Sequence, residues 1–174
     1  KISEKQNHGK SLVGDVAQEI RLENDFMVNI GWIQFLGSCV SKWIELETKQ
    51  KMTKFNLKNS WIVRQFKNEY NPAHYHKGHI SGVGYLKVPK NLGVPSQKNK
   101  PNLNGKLQLV HGSRMFMSSS TFSIQPEVGN FYFFPNYLMH LVYPFVDTDE
   151  ERRSVSFNAK IDDSVYDVYG GDYE

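Results

Sequence analysis

Two hydrophobic periods divide the chain. In the first fifty residues the period is helical. Leu12, Val13, Val16, Ala17, Ile20 and Leu22 recur at roughly helical spacing with Glu19, Arg21 and Glu23 between them, which predicts a short amphipathic helix over 12–24. Ile30, Ile33, Phe35, Leu36, Val40, Trp43 and Ile44 follow an i, i+3, i+4 pattern. They predict a longer helix over 30–49, closed by the charged run ELETKQK and packed across one face of a sheet, although Gly31 and Gly37 lower its intrinsic propensity. From Phe55 onward the period changes to that of strands. WIVRQF (61–66), HISGVGYLKVP (79–89), KLQLVHG (106–112), RMFMSSSTFSIQP (114–126), FYFFP (131–135), HLVYPF (140–145) and SVSFNAKI (154–161) are β-branched and aromatic, and several alternate. Pro89 and Pro135 stop two of them. Residues 90–105, rich in Pro, Asn, Gly and Lys, read as a loop, and 127–130 as a turn. About eight short strands at this spacing predict an all-β barrel or sandwich.

Composition narrows this only a little. The 174 residues suit one domain with one sizeable core: 1–55 a lead and helical support, 56–161 the β core, 162–174 an acidic, aromatic tail or edge segment. A hydrophobic content of 39% excludes a disordered chain. The net charge of +3 comes without any run of four Lys or Arg, so it does not argue for nucleic acid, though it is compatible with an anionic small substrate. Cys39 is the one cysteine, so no disulfide framework forms within a monomer, and a reducing, cytoplasmic compartment is expected. No 18-residue apolar run predicts a membrane span, and the polar opening KISEKQNHGK lacks the apolar core of a signal peptide.

The chemistry gathers in NPAHYHKGHISGVGYL (71–86), which holds three of the six histidines. His74 and His76 lie two apart, so on an extended segment both point to one side and can approach one metal. Neutral imidazole suits Fe, Zn, Cu and Ni alike. His140, at a strand start, is the best-placed third ligand; His79 is its competitor, while His111 at a strand end and His8 in the lead carry less weight. A pair of surface histidines in a polar turn is the bland alternative. On the last strand Arg152, Ser154, Ser156 and Asn158 face one way, and Arg153, Val155 and Phe157 the other. Arg152 can hold a carboxylate in a bidentate fork with the Ser154 hydroxyl beside it. The alternative is a surface pairing of Arg152 and Arg153 with Asp147, Asp149, Glu150 and Glu151.

The ordered series HYH, SGVGYLKVP, GNFYFFPNYLMH and ERRSVSFN resembles the 2-oxoglutarate/Fe(II)-dependent oxygenase superfamily over roughly residues 60–160. It is most similar to a bacterial and phage branch carrying HxH, SGVYYL, FPSxLxH and RxSxSFN. That resemblance implies a double-stranded β-helix, or jelly roll, with Fe(II) held by His74, His76 and His140. It implies Arg152 at the distal carboxylate of the cosubstrate 2-oxoglutarate, with Tyr85 and Ser154 as helpers. The activity implied is hydroxylation of a small-molecule or peptide substrate with release of succinate and CO2. One position departs from the pattern: the superfamily commonly presents His-x-Asp or His-x-Glu, and His76 stands where that carboxylate is expected, with Glu69 a possible substitute. Trp61, Phe66, Phe131, Phe133 and Tyr143 are candidate apolar walls, though mostly core. The competing readings are a cupin-like metal protein using the same three histidines without 2-oxoglutarate, and a non-enzymatic jelly roll.

Overall fold

The structure is a computed structural model and describes residues 7–9 and 12–167. Among the described residues nine strands make two antiparallel sheets, accompanied by three helices. The larger sheet contains β1 (Gln18–Arg21), β2 (Phe55–Gln65), β9 (Arg152–Ile161), β4 (Ile80–Lys87) and β7 (Phe131–Pro135), in that spatial order. The smaller contains β3 (Asn71–His74), β8 (Met139–Val142), β5 (Leu107–Val110) and β6 (Thr121–Ile124), again in spatial order. This is the jelly roll expected from the strand spacing and the family resemblance.

Alternation along β9 builds both faces of the larger sheet. Phe157, Ala159 and Ile161 face outward and pack with Ile80 against Leu36, Val40 and Ile44 of α2 (Trp32–Thr48). That is the predicted second helix, with ends shortened by Gly31 and Lys49, both in the left-handed region at φ 72° and 62°. Arg152, Ser154, Ser156 and Asn158 face inward, as the alternation predicts. The register carries the inward row across the sheet: Val63 pairs with Ser154, Ser154 with Tyr85, and Glu19 with Val63. Between the sheets Leu107, Ile124 and Val142 form a second core with Val83, Leu109 and Tyr132. Gly82 stays small for a packing reason: a Cβ there would sit 2.5 Å from the Phe157 ring and 2.8 Å from the Tyr132 carbonyl.

The predicted helix over 12–24 is replaced by β1 and the short helix α1 (Asn24–Asn29). Leu12, Val16 and Ile20 are four apart, which fits one helical turn and also two strand repeats. Pairing of Gln18–Arg21 with Trp61–Arg64 selects the strand. Asn7 bridges to Ile20, so part of the predicted flexible lead is tied to the sheet. The rest of that lead, residues 1–6 and 10–11, lies outside the described residues. Strand β3 escapes the alternation argument because it is short and contains Pro72. The predicted C-terminal tail begins as a helical turn, α3 (Asp163–Tyr166), and residues 168–174 lie outside the described residues. No helix among the described residues is long and apolar enough to cross a membrane.

Candidate functional site

His74 and His140 are cross-strand partners at the mouth of the smaller sheet, on β3 and β8. His76 follows in the turn after β3. That turn is fixed to the β7–β8 turn twice: the His76 amide donates to the Asn136 carbonyl at 3.0 Å, and the Asn136 side-chain amide donates to the His76 carbonyl at 3.0 Å. Tyr166 of α3 donates its hydroxyl to the Asn136 side-chain oxygen at 2.6 Å. The result is a convergent triad. One ligand atom from each of His74, His76 and His140 lies within 4.8 Å of the others, and the His76 and His140 Nε2 atoms are 3.2 Å apart.

The protonation of these rings suits a metal. His74 Nδ1 lies 2.7 Å from the Pro72 carbonyl and His140 Nδ1 2.8 Å from the Leu138 carbonyl. A carbonyl only accepts, so each Nδ1 carries the proton and each Nε2 presents a lone pair. Burial lowers all three pKa values. His76 falls to about 3, with the neighbouring His140 and His74 adding to the effect of burial. His140 falls to about 4, and the Leu138 hydrogen bond only partly opposes burial. His74 is lowered by burial against the opposing Pro72 hydrogen bond. Neutral imidazole, the ligating form, is therefore the form present at neutral pH. The Trp61 ring closes over His76 at 5.9 Å, edge to face.

The same chamber contains Arg152, Ser154 and Tyr85. Arg152 is only 2% exposed. Its Nη1 donates to Gln65 Oε1 at 2.9 Å, and Gln65 is oriented by its own amide, which donates to the carbonyls of Glu69 and Tyr143. The guanidinium lies over the Tyr85 ring at 5.0 Å. No carboxylate pairs with Arg152 among the described residues, and its Nε and the Tyr85 hydroxyl are buried without a hydrogen-bond partner. Burial lowers the Arg152 pKa and raises that of Tyr85, each partly opposed by the other. A buried guanidinium with a free donor and no counter-charge is a site for an anion. Three converging imidazoles that could hold a metal ion and an unpaired guanidinium lining one chamber are of the chemistry that Fe(II) and 2-oxoglutarate require.

The remaining candidates separate cleanly. His79 turns away from the triad: its Nδ1 accepts the Ile161 amide at 3.2 Å, its Nε2 faces Asp163 at 3.5 Å, and it stacks on Tyr166 at 4.0 Å. His111 is exposed at the end of β5, and His8 lies beside β1 with its amide on the Glu19 carbonyl. Glu69 does not stand in for a carboxylate ligand, because its two oxygens accept the Ala17 and Phe66 amides at 3.1 and 2.8 Å. Arg153, by contrast with Arg152, pairs with Glu151 on the outer face beside Arg64. Of the predicted apolar walls only Trp61 lines the chamber; Phe134, Leu107 and Val142 supply the others. Phe131 and Phe133 lie under Trp32 and Trp43 of α2, Phe66 lies beneath Arg64, and Tyr143 donates to Gln108. Glu19, 2% exposed, is the one acidic residue lining the chamber among the described residues, and the helical reading of 12–24 concealed it. Burial first, and the Glu69 charge second, raise its pKa to about 7.

Comparisons with known proteins agree with this geometry. Solved structures of similar fold include a Pseudomonas putida prolyl-4-hydroxylase, with 14% identity and a TM-score of 0.55 over 84% of this chain and 77% of that one. They also include the viral collagen prolyl hydroxylase of Paramecium bursaria Chlorella virus-1 in complex with 2OG, with 15% identity and a TM-score of 0.55 over 89% and 85%. An oxidoreductase of the 2OG-Fe(II) oxygenase family from Burkholderia pseudomallei aligns at 12% identity and a TM-score of 0.54 over 85% and 66%. A search of curated protein sequences finds no match. Residues 59–158 match the family described as "Putative 2OG-Fe(II) oxygenase". That span, more than half of the chain, runs from β2 through β9 and contains all three histidines and Arg152, so the chain belongs to the 2OG-Fe(II) oxygenase family.

Proposed function

We propose that His74, His76 and His140 hold Fe(II), that Arg152, Tyr85 and Ser154 hold the distal carboxylate of 2-oxoglutarate, and that the enzyme hydroxylates a small-molecule or peptide substrate. Iron and 2-oxoglutarate, when bound, supply oxidative decarboxylation to succinate and CO2 coupled to oxygen insertion at a C–H bond. The protein's own part is placement. The Pro72 and Leu138 carbonyls keep two imidazoles in the ligating tautomer, and Asn136 holds the backbone of His76. Arg152 offers a planar fork whose direction is set by Gln65 and Tyr85. Trp61, Val63, Phe134 and Leu107 make the walls apolar, which limits water at the reacting centre. In this reading 56–161 is the catalytic core of a single domain, working in a reducing, cytoplasmic setting.

The observation that carries the proposal is the buried, unpaired Arg152 sharing a chamber with three converging neutral imidazoles. The test is anaerobic titration with Fe(II) and 2-oxoglutarate, followed by the visible band of their complex and, on admitting air, by succinate. His74→Ala and His140→Ala should each lose both signals. Survival of the band in either variant refutes the ligand assignment.

A further inference from the structure

His74 and His76 have a second face. Outside the chamber they form the inner wall of an open groove of about 950 Å³. The inward polar row of β9, which starts at buried Arg152, ends here at exposed Lys160. A bulge in β2 between Leu57 and Asn59 re-aims Lys58 into the same groove, and Lys77 of the HxH turn completes its rim. No Asp or Glu lines the groove among the described residues. None of the three lysines has a carboxylate partner among the described residues. Two acids of the adjoining turn lie outside the lining: Asp163, at 3.5 Å from His79, and Asp162, which accepts the Thr53 and Lys54 amides. The groove thus gathers three positive charges, as many as the formal net charge of +3 on the whole chain.

The groove runs along two of the three histidines, so its charge bears on what can be presented to them. Clefts lined by one sign of charge concentrate ligands of the opposite sign. At about 950 Å³ it lies near the top of the range for small-molecule pockets, roughly 300–1,000 Å³, and it is open to solvent. An extended chain fills such a groove better than a single amino acid. Single-stranded nucleic acid is disfavoured because it needs successive aromatic platforms, and among the described residues Tyr75 is the one strongly exposed aromatic of the groove, at 65%.

Resting on the reading of the triad as an Fe(II)/2-oxoglutarate centre, we propose that this groove binds an acidic polypeptide segment, its Asp and Glu side chains over Lys58, Lys77 and Lys160, and presents one of its residues to the three histidines. The test uses protein loaded with Fe(II) and 2-oxoglutarate under anaerobic conditions. The probes are fluorescent octapeptides alternating Ser with Glu, Gln or Lys, and an eight-nucleotide single-stranded DNA, read by anisotropy. The Glu peptide should bind at least about tenfold tighter than the Gln peptide, with a preference that shrinks as salt rises from 50 to 500 mM. Replacing all three lysines (K58Q, K77Q and K160Q together) should remove about tenfold of that preference, as three partly exposed ion pairs predict. Equal binding of the Glu and Gln peptides, tighter binding of the Lys peptide, or an unchanged preference in the triple variant overturns the proposal. Tighter binding of the DNA than of the Glu peptide overturns its choice of partner. The visible band of the wild-type complex, recorded in the same solution, reads the centre separately: if it is missing, the Fe(II)/2-oxoglutarate reading fails whatever the peptides do.

Discussion

Arg152→Met separates anchoring from architecture. Arg152 is a buried cation whose guanidinium donates to Gln65 and has no ion-pair partner among the described residues. Replacing a buried charge by an apolar side chain of similar length is commonly neutral or stabilising by about 1–4 kcal/mol. Against that stands the Gln65 Oε1 left unpaired, at about 1–3 kcal/mol. The two nearly cancel, so the variant should stay within about 2 kcal/mol of wild-type stability. Cosubstrate binding should behave oppositely. Two charge-assisted hydrogen bonds at about 1.5–3 kcal/mol each would be lost, which corresponds to roughly 10²- to 10⁴-fold in Kd. The assays are urea unfolding of the metal-free protein and anaerobic 2-oxoglutarate titration of the Fe(II) form. The reasoning is refuted by a variant that loses more than about 2 kcal/mol of stability yet binds 2-oxoglutarate within about threefold of wild type, because Arg152 would then be a scaffold residue.

Three further outcomes are expected. His76→Ala should weaken Fe(II) binding at least about tenfold, as loss of a direct ligand requires; wild-type affinity in a metal titration would mean that His74 and His140 bind with some other partner. Glu19→Gln should be more stable than wild type at pH 8, by about 1–3 kcal/mol. A carboxyl raised to about 7 contributes stability that is complete below its unfolded pKa near 4.5 and lost as pH rises through 7, so thermal unfolding from pH 5 to 8 should decline less in the variant. Superimposable pH profiles would show that Glu19 is not held protonated. Tyr166→Phe removes the hydroxyl that fixes Asn136 and should weaken Fe(II) about 3- to 10-fold without changing the fold; unchanged affinity in the same titration would sever the link from α3 to the metal turn.

Much of this was legible in the residues because the inner face of a jelly roll imposes alternation. Arg152 was separable from Arg153 by parity alone, and the structure places one in the chamber and the other with Glu151 on the outer face. His74 and His76 were a pair by spacing. What sequence alone did not contain is long-range pairing. Gln18–Arg21 became a strand because β2 offered an edge, and Glu19 faces the chamber only in consequence. Lys58 and Lys160 meet in one groove because Leu57 pairs with Ala159 across a bulge, a relation between residues about a hundred positions apart. His79 was a competitor on spacing, and only its contacts with Ile161, Asp163 and Tyr166 set it apart.

The place of β9 also bears on how the molecule comes to exist. It is the last strand among the described residues and the central strand of the larger sheet, flanked by β2 on one side and β4 on the other. Until residues 152–161 insert, that sheet is two separate hairpin-like halves, β1–β2 and β4–β7, each with an open edge. A chain emerging from the ribosome therefore holds its histidines before it holds a barrel to keep them in. Closure waits on pairings of high sequence separation, which makes folding slow and leaves the halves open to mispairing. The strand that carries Arg152 is also the keystone of the sheet, so the chamber it lines is incomplete until that strand pairs.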